Sequence, residues 1–161
     1  NDYKPSVARW NMATGEINPM PYEYPDLKKV RFIYAASAEH QLYVQCYTQY
    51  DLMTICDFNG NLKCNIYGPK WVNEKTQTQH YSLGVEFCGD KILALYSGGD
   101  HRTDAYYPTK FLVFDLNGNY LKTLETGYMI TDFCYDKENN RLIINLNDEI
   151  QFAYLDLEGI I

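Results

Sequence analysis

Three stretches of the chain, "ILALY" (92–96), "FLVF" (111–114) and "RLIINL" (141–146), are apolar at odd and even positions alike. Strict alternation would mark strands with one wet face. Apolar character on both parities predicts strands covered on both sides. The stretch "NYLKTLETG" (119–127) is more polar and suits an outer edge strand. A parallel sheet between helices would also give doubly apolar strands, but it needs amphipathic crossover helices. The sequence offers only "AASAEH" (35–40), whose "AEHQ" reads better as a turn. The expected class is all-β.

The strands recur. "ICDFNGNLKCNIYG" (55–68), "VFDLNGNYLKTLETG" (113–127) and "YLDLEGII" (154–161) each end an apolar run in Asp-x-x-Gly. Asp at the first place and Gly three residues on predict a type I turn closed by a left-handed glycine, a hairpin with a G1 bulge. Glu158, standing where the second copy has Asn117, disfavours the tighter two-residue turn because Glu resists positive φ. Upstream, "EFCGDKILALY" (86–96) parallels "DFCYDKENNRLIINL" (132–146), and "RFIYAASAEHQLYVQCY" (31–47) is a looser relative. Each unit therefore holds four strands. Its Asp-x-x-Gly copies lie 58 and then 41 residues apart, and a four-stranded repeat of about 40–50 residues is the signature of a β-propeller blade.

The expected layout is one partial β-propeller domain over 1–161: the second half of a blade in 1–27, blades in 28–70 and 71–127, and an incomplete blade in 128–161. The first piece rests on a hairpin around Asn11–Gly15. That gives 13 strands, whereas a closed ring takes about 4–8 blades. The remaining blades would come from a longer chain or from a second copy, with a longer chain slightly favoured. The opening Asn-Asp-Tyr, without Met or a secretory apolar stretch, fits an N-terminal piece removed or an excised part.

"KILALYSGG" (91–99), "FLVFDLNGN" (111–119) and "DFCYDKENNRLIINL" (132–146) resemble the TolB-like six-bladed β-propellers of bacteria. The likeness covers roughly residues 30–161, about half of a family member. It implies a partial propeller of six-bladed type, from a family of exported proteins and predicted lipoproteins of unknown function. Periplasmic or outer-membrane-associated localisation rests on this resemblance alone, and it brings no catalytic residues.

Composition narrows the function classes. The 161 residues include 16 Tyr, 7 Phe and 2 Trp, which excludes disorder. A chain of this length buries roughly 70% of its unfolded surface. A net charge of −7, with Lys28-Lys29 the nearest thing to a basic cluster, argues against nucleic-acid or anionic-membrane binding. No apolar run reaches the about 20 residues of a membrane-spanning helix. The five cysteines form no CxxC pair and no zinc spacing. All but Cys64 lie in apolar or aromatic strand segments and are expected as small buried hydrophobes. With Phe58-Asn59-Gly60 as the loop, Cys64 would face Thr54 and share a face with Cys56, diagonally and too far for a relaxed disulfide. Both are expected to be reduced.

Chemistry concentrates in "SGGDHRTDAYYPTK" (97–110). In a propeller the loop between second and third strands and the link to the next blade leave on the same face. That groups 97–109 with 68–80, beside the short loops 48–51 and 147–150, and yields a candidate ligand-binding face of Trp71, His80, Tyr81, Asp100, His101, Arg102, Asp104, Tyr106 and Tyr107. A metal on His101 with Asp100 or Asp104 lacks a second histidine at ligand spacing. A solvated loop with Arg102 paired to a carboxylate is the simpler account. Asp100 and Asp104 as a glycosidase pair carry little signal. Gly98-Gly99 lacks the Lys and helix of a phosphate loop, and no loop Cys offers a nucleophile. A lactonase-like alternative places Glu86 and Asp132 at equivalent places on the inner strands, facing a central channel as metal ligands. The first full blade offers Phe32 there, so the ring of ligands is incomplete. The expectation is a non-catalytic binding or scaffold module for a protein or carbohydrate partner, with no cofactor; the alternative is the metal-dependent hydrolase.

Overall fold

The structure, a computed structural model, describes residues 7–20, 27 and 30–161. The Lys28-Lys29 pair and the "PYEYP" segment lie outside them. Among the described residues, thirteen strands form four antiparallel sheets. A hairpin pairs β1 (Ala8–Trp10) with β2 (Ile17–Pro19) around a turn closed by Gly15 at φ 77°. The first four-stranded sheet orders β3 (Phe32–Ser37), β4 (Leu42–Tyr47), β5 (Leu52–Asp57) and β6 (Leu62–Tyr67). The second orders β7 (Thr78–Cys88), β8 (Lys91–Asp100), β9 (Lys110–Asp115) and β10 (Tyr120–Glu125). The third holds β11 (Ile130–Asp136), β12 (Arg141–Leu146) and β13 (Phe152–Asp156).

Stacking of the sheets explains the doubly apolar strands. Ile92, Ala94 and Tyr96 on one face of β8 pack with Val44, Cys46, Met53 and Ile55 of the preceding sheet. Leu93 and Leu95 on the other face pack with Ile130, Leu142 and Ile144 of the following one. The first strands β3, β7 and β11 lie beside one another. Their turns also meet: Lys137 Nζ donates to Glu39 at 2.8 Å, and His40 Nε2 lies 2.9 Å from the Gly89 carbonyl. The outer strand β10 is the least buried of its sheet, and the outer strand β6 has no fully buried residue. This is the geometry of blades around an axis.

The Asp-x-x-Gly turns form as expected in two copies. Asp57 Oδ1 accepts from the Asn59 and Asn61 amides, and the Gly60 amide donates to the Asp57 carbonyl, with Gly60 at φ 87°. Asp115, Asn117, Gly118 and Asn119 repeat the pattern. In the third copy Gly159 is left-handed, but the turn closes one residue later, from the Ile160 amide to Leu157.

Just beyond the Asp57–Gly60 turn the register differs from expectation. Cys56 faces Leu62, but Ile55 faces Cys64, so Lys63 is a bulged extra residue; Leu121 repeats it on β10. A one-residue slip reverses sidedness. Cys64 therefore turns with Ile55 toward the second four-stranded sheet and does not share a face with Cys56. All five cysteines are free thiols. Cys134 departs from the buried expectation: it is exposed, on the open side of β11 that also carries Asp132. Among the described residues no helix is long and apolar enough to cross a membrane.

Candidate functional site

The link 68–77 and the loop 101–109 leave the same end of the sheets and touch. The His101 amide donates to the Gln77 carbonyl at 3.1 Å, and the imidazole Nδ1 lies 2.9 Å from the same oxygen. The two junctions flanking the second four-stranded sheet carry the same clasp. The Thr76 amide and hydroxyl both donate to the Gln49 carbonyl, the Thr78 amide donates to the Thr76 hydroxyl, and the His80 amide donates to Thr48. Thr126, Tyr128 and Ile130 repeat these bonds onto Thr109 and Pro108.

The 97–109 loop is built from within. Asp100 holds Arg102 through both carboxylate oxygens, at 3.1 and 2.8 Å, and accepts the Arg102 amide. These bonds keep the Asp100 carboxyl well below the usual range, the wrong direction for a general acid. Thr103 caps a 3-10 turn over Asp104–Tyr106, and the Tyr106 and Tyr107 rings lie 4.2 Å apart. The turn crosses β8 so closely that a Cβ on Gly99 would sit 1.9 Å from the Ala105 carbonyl oxygen. The glycine thus serves a close crossing.

Of the expected residues, His101, Arg102 and Asp104 stand exposed on this surface, with Asp100, Tyr106 and Tyr107 half-buried beside them. Trp71 is half-buried, edge-on to Tyr67 at 4.8 Å and near Tyr50. His80 and Tyr81 lie apart from the surface, each 1% exposed within β7. Beneath the loops a polar hollow of about 360 Å³ is lined by Arg31, Gln49, Lys75 and His101. Arg31 and Lys75 went unread because isolated cations leave no mark in the repeat.

His80 belongs to a buried polar group that the sequence did not reveal. Its Nδ1 lies 3.2 Å from the Tyr96 hydroxyl and 3.8 Å from Asp51 Oδ1, and its Nε2 lies 3.5 Å from the Thr76 hydroxyl. Asp51 is 1% exposed and accepts the Lys70 amide at 2.9 Å. Burial holds the His80 imidazole below its ordinary pKa, with Lys70 adding to the effect and Asp51 opposing it. Burial likewise pushes the Tyr96 phenol up. Nothing local in the sequence signals the group: Asp51 stands just before β5, and His80, near the start of β7, follows the polar stretch "TQTQ" (76–79).

The channel pair is also rearranged. Glu86 faces Leu93, the third residue of β8, whereas Asp132 faces Asn145, the fifth of β12. The turn after β7 has two residues and that after β11 has four, so the two acids are out of step. The places equivalent to Glu86 are Ala35, in place of Phe32, and Cys134. Both acids still line one open hollow, and the Glu86 carboxyl is raised by burial and then by Asp132. Among the described residues no group of three or more His, Cys, Asp or Glu could hold a metal.

No family model and no curated protein matches the chain. Solved structures do. Hydrazine synthase of Kuenenia stuttgartiensis superposes with a TM-score of 0.62 at 12% identity, over 96% of this chain and 40% of that one. BamB from Moraxella catarrhalis superposes with a TM-score of 0.54 at 12% identity, over 87% of this chain and 34% of that one. Both are β-propeller proteins, and the likeness shows the fold. The chain is an all-β partial propeller of four-stranded antiparallel blades, and it spans less than half the length of either structure.

Proposed function

We propose that the chain is a non-catalytic binding module that holds a partner protein on its loop-bearing face. One observation carries this: two insertions from different parts of the chain are fastened together by the His101–Gln77 bonds into one ordered surface. A protein partner suits that surface better than a sugar, because Trp71, Tyr106 and Tyr107 pack on other rings instead of standing free. Arg102 and Val72 remain exposed there, an enriched and an apolar contact type for protein interfaces. Membership of the TolB-like six-bladed propellers, the closing of the ring by further blades of a longer chain or by a second copy, and a place in the bacterial envelope belong to the same reading.

The test compares the chain with a Val72→Asp/Arg102→Glu variant as baits for envelope extracts, and screens both on a glycan array. A protein held by the first and lost about tenfold or more by the second is the expected result. Equal retention by both sinks the loop-face reading, and a loop-dependent glycan hit would replace protein with carbohydrate. The hydrolase alternative rests on the raised Glu86 carboxyl beside Asp132. Metal-dependent turnover of a lactone or ester, abolished by Glu86→Gln, would establish it.

A further inference from the structure

The two junctions flanking the second four-stranded sheet can be compared place by place. The clasp bonds set His80 where the later junction has Ile130. Tyr96 and Leu146 are each the sixth residue of their strand, β8 and β12. At the later junction the blades splay into a cleft of about 500 Å³ floored by Ile144, Leu146, Ala153 and Leu155. At the earlier one the matching cleft, about 570 Å³, reaches Tyr96 and the buried Asp51 carboxylate. At the places of His80 and Tyr96 the later junction therefore carries only hydrocarbon, Ile130 and Leu146. A buried carboxylate and imidazole are costly to keep, and here the architecture does not call for them.

The walls of the earlier cleft are also special. Tyr67 and Tyr120 both line it and both are more than half exposed. Their rings are fixed from behind: Tyr67 edge-on to Trp71, Tyr120 edge-on to Phe114 and joined through its hydroxyl to Thr123 at 2.8 Å. The charged residues lining the cleft are two lysines and two acids, Lys70 and Lys110 with Asp51 and Glu125, so it favours neither sign of ligand. Its volume falls in the range of small-molecule sites.

We propose that this cleft binds a neutral saccharide, stacked on Tyr67 and Tyr120 and hydrogen-bonded through its hydroxyls to Tyr96, Lys70 and Lys110. A pyranose offers what the cleft complements: an apolar C–H face, a ring of donors and acceptors, and no charge. The rigid tyrosines supply contact area at low conformational cost. His80 Nδ1, 3.2 Å from the Tyr96 hydroxyl, orients that hydroxyl at the floor. The site adjoins the loop face through Lys70 and Ser97 but is built on Tyr67, Tyr96 and Tyr120 and takes a different class of ligand.

Ligand-observed NMR on the full chain, with neutral hexoses, N-acetylhexosamines and their disaccharides beside a uronic acid and an amino sugar, tests this. A neutral sugar is expected to bind with a Kd on the order of 1 mM or tighter. Tyr120→Ala and Tyr96→Phe, checked for unchanged thermal unfolding, are each expected to weaken it about tenfold. Tyr154→Ala, in the cleft of the later junction, is expected to leave it intact. Failure of every neutral sugar to bind, preference for either charged sugar, or full binding by both cleft variants would each overturn the proposal.

Discussion

His80 carries an imidazole where the next junction carries the hydrocarbon of Ile130, and the difference should be visible in acid. Burial keeps its folded pKa below the ordinary value of 6.5. As pH falls, the unfolded chain takes up the proton first, so this contribution is complete above about 6.5 and is lost as pH drops through that value toward the folded pKa. Asp57, Asp100, Asp115 and Asp136 are also held low, but their contributions vanish only below about pH 4. Glu86, raised by burial and by Asp132, acts oppositely: it favours the folded state as pH falls through its folded pKa. We expect the melting temperature to drop between pH 7.5 and 5.5 by about 2–4 °C more in the natural chain than in His80→Ile. An equal drop in both, by calorimetry, would contradict it.

At the level of elements, the 97–109 loop is held by a crossing and not by its charges. A methyl on Gly99 would meet the Ala105 carbonyl, itself the acceptor of the Ser97 hydroxyl at 2.6 Å. Gly99→Ala is therefore expected to cost roughly 1–3 kcal/mol and to free the 3-10 turn; denaturant melts and amide exchange over 101–107 would check it. Full stability with unchanged protection would refute it. The sequence displayed the elements themselves well, because apolar runs and Asp-x-x-Gly turns are local and repeated. It hid whatever depends on counting residues across a pair of strands. The Lys63 bulge turned Cys64 to the other face, and the unequal turns after β7 and β11 parted Glu86 from Asp132. The loop surface was legible from insertion lengths, whereas Asp51, His80 and Tyr96 meet only once two blades stack.

Across the whole molecule, large apolar side chains stand exposed on the first full sheet and on the last one. Tyr34 on β3 is 71% exposed, and Phe152 and Tyr154 on β13 are 68% and 63% exposed. Repeats of this kind draw their stability from neighbours, and large exposed apolar patches drive association. Sedimentation of the 161-residue chain should show association that grows with concentration, and Tyr34→Lys with Phe152→Lys should return it to monomer. A clean monomer at all concentrations would remove the case for contact through these faces. The threonine clasps have a mechanical meaning as well. Thr76 and Thr126 each fasten the strand that follows to the loop of the blade before, like stitches made in one direction. Tension on the C-terminal end meets the last stitch first, so the blades should release singly and in reverse order. The chain is built to ravel from one end rather than to burst.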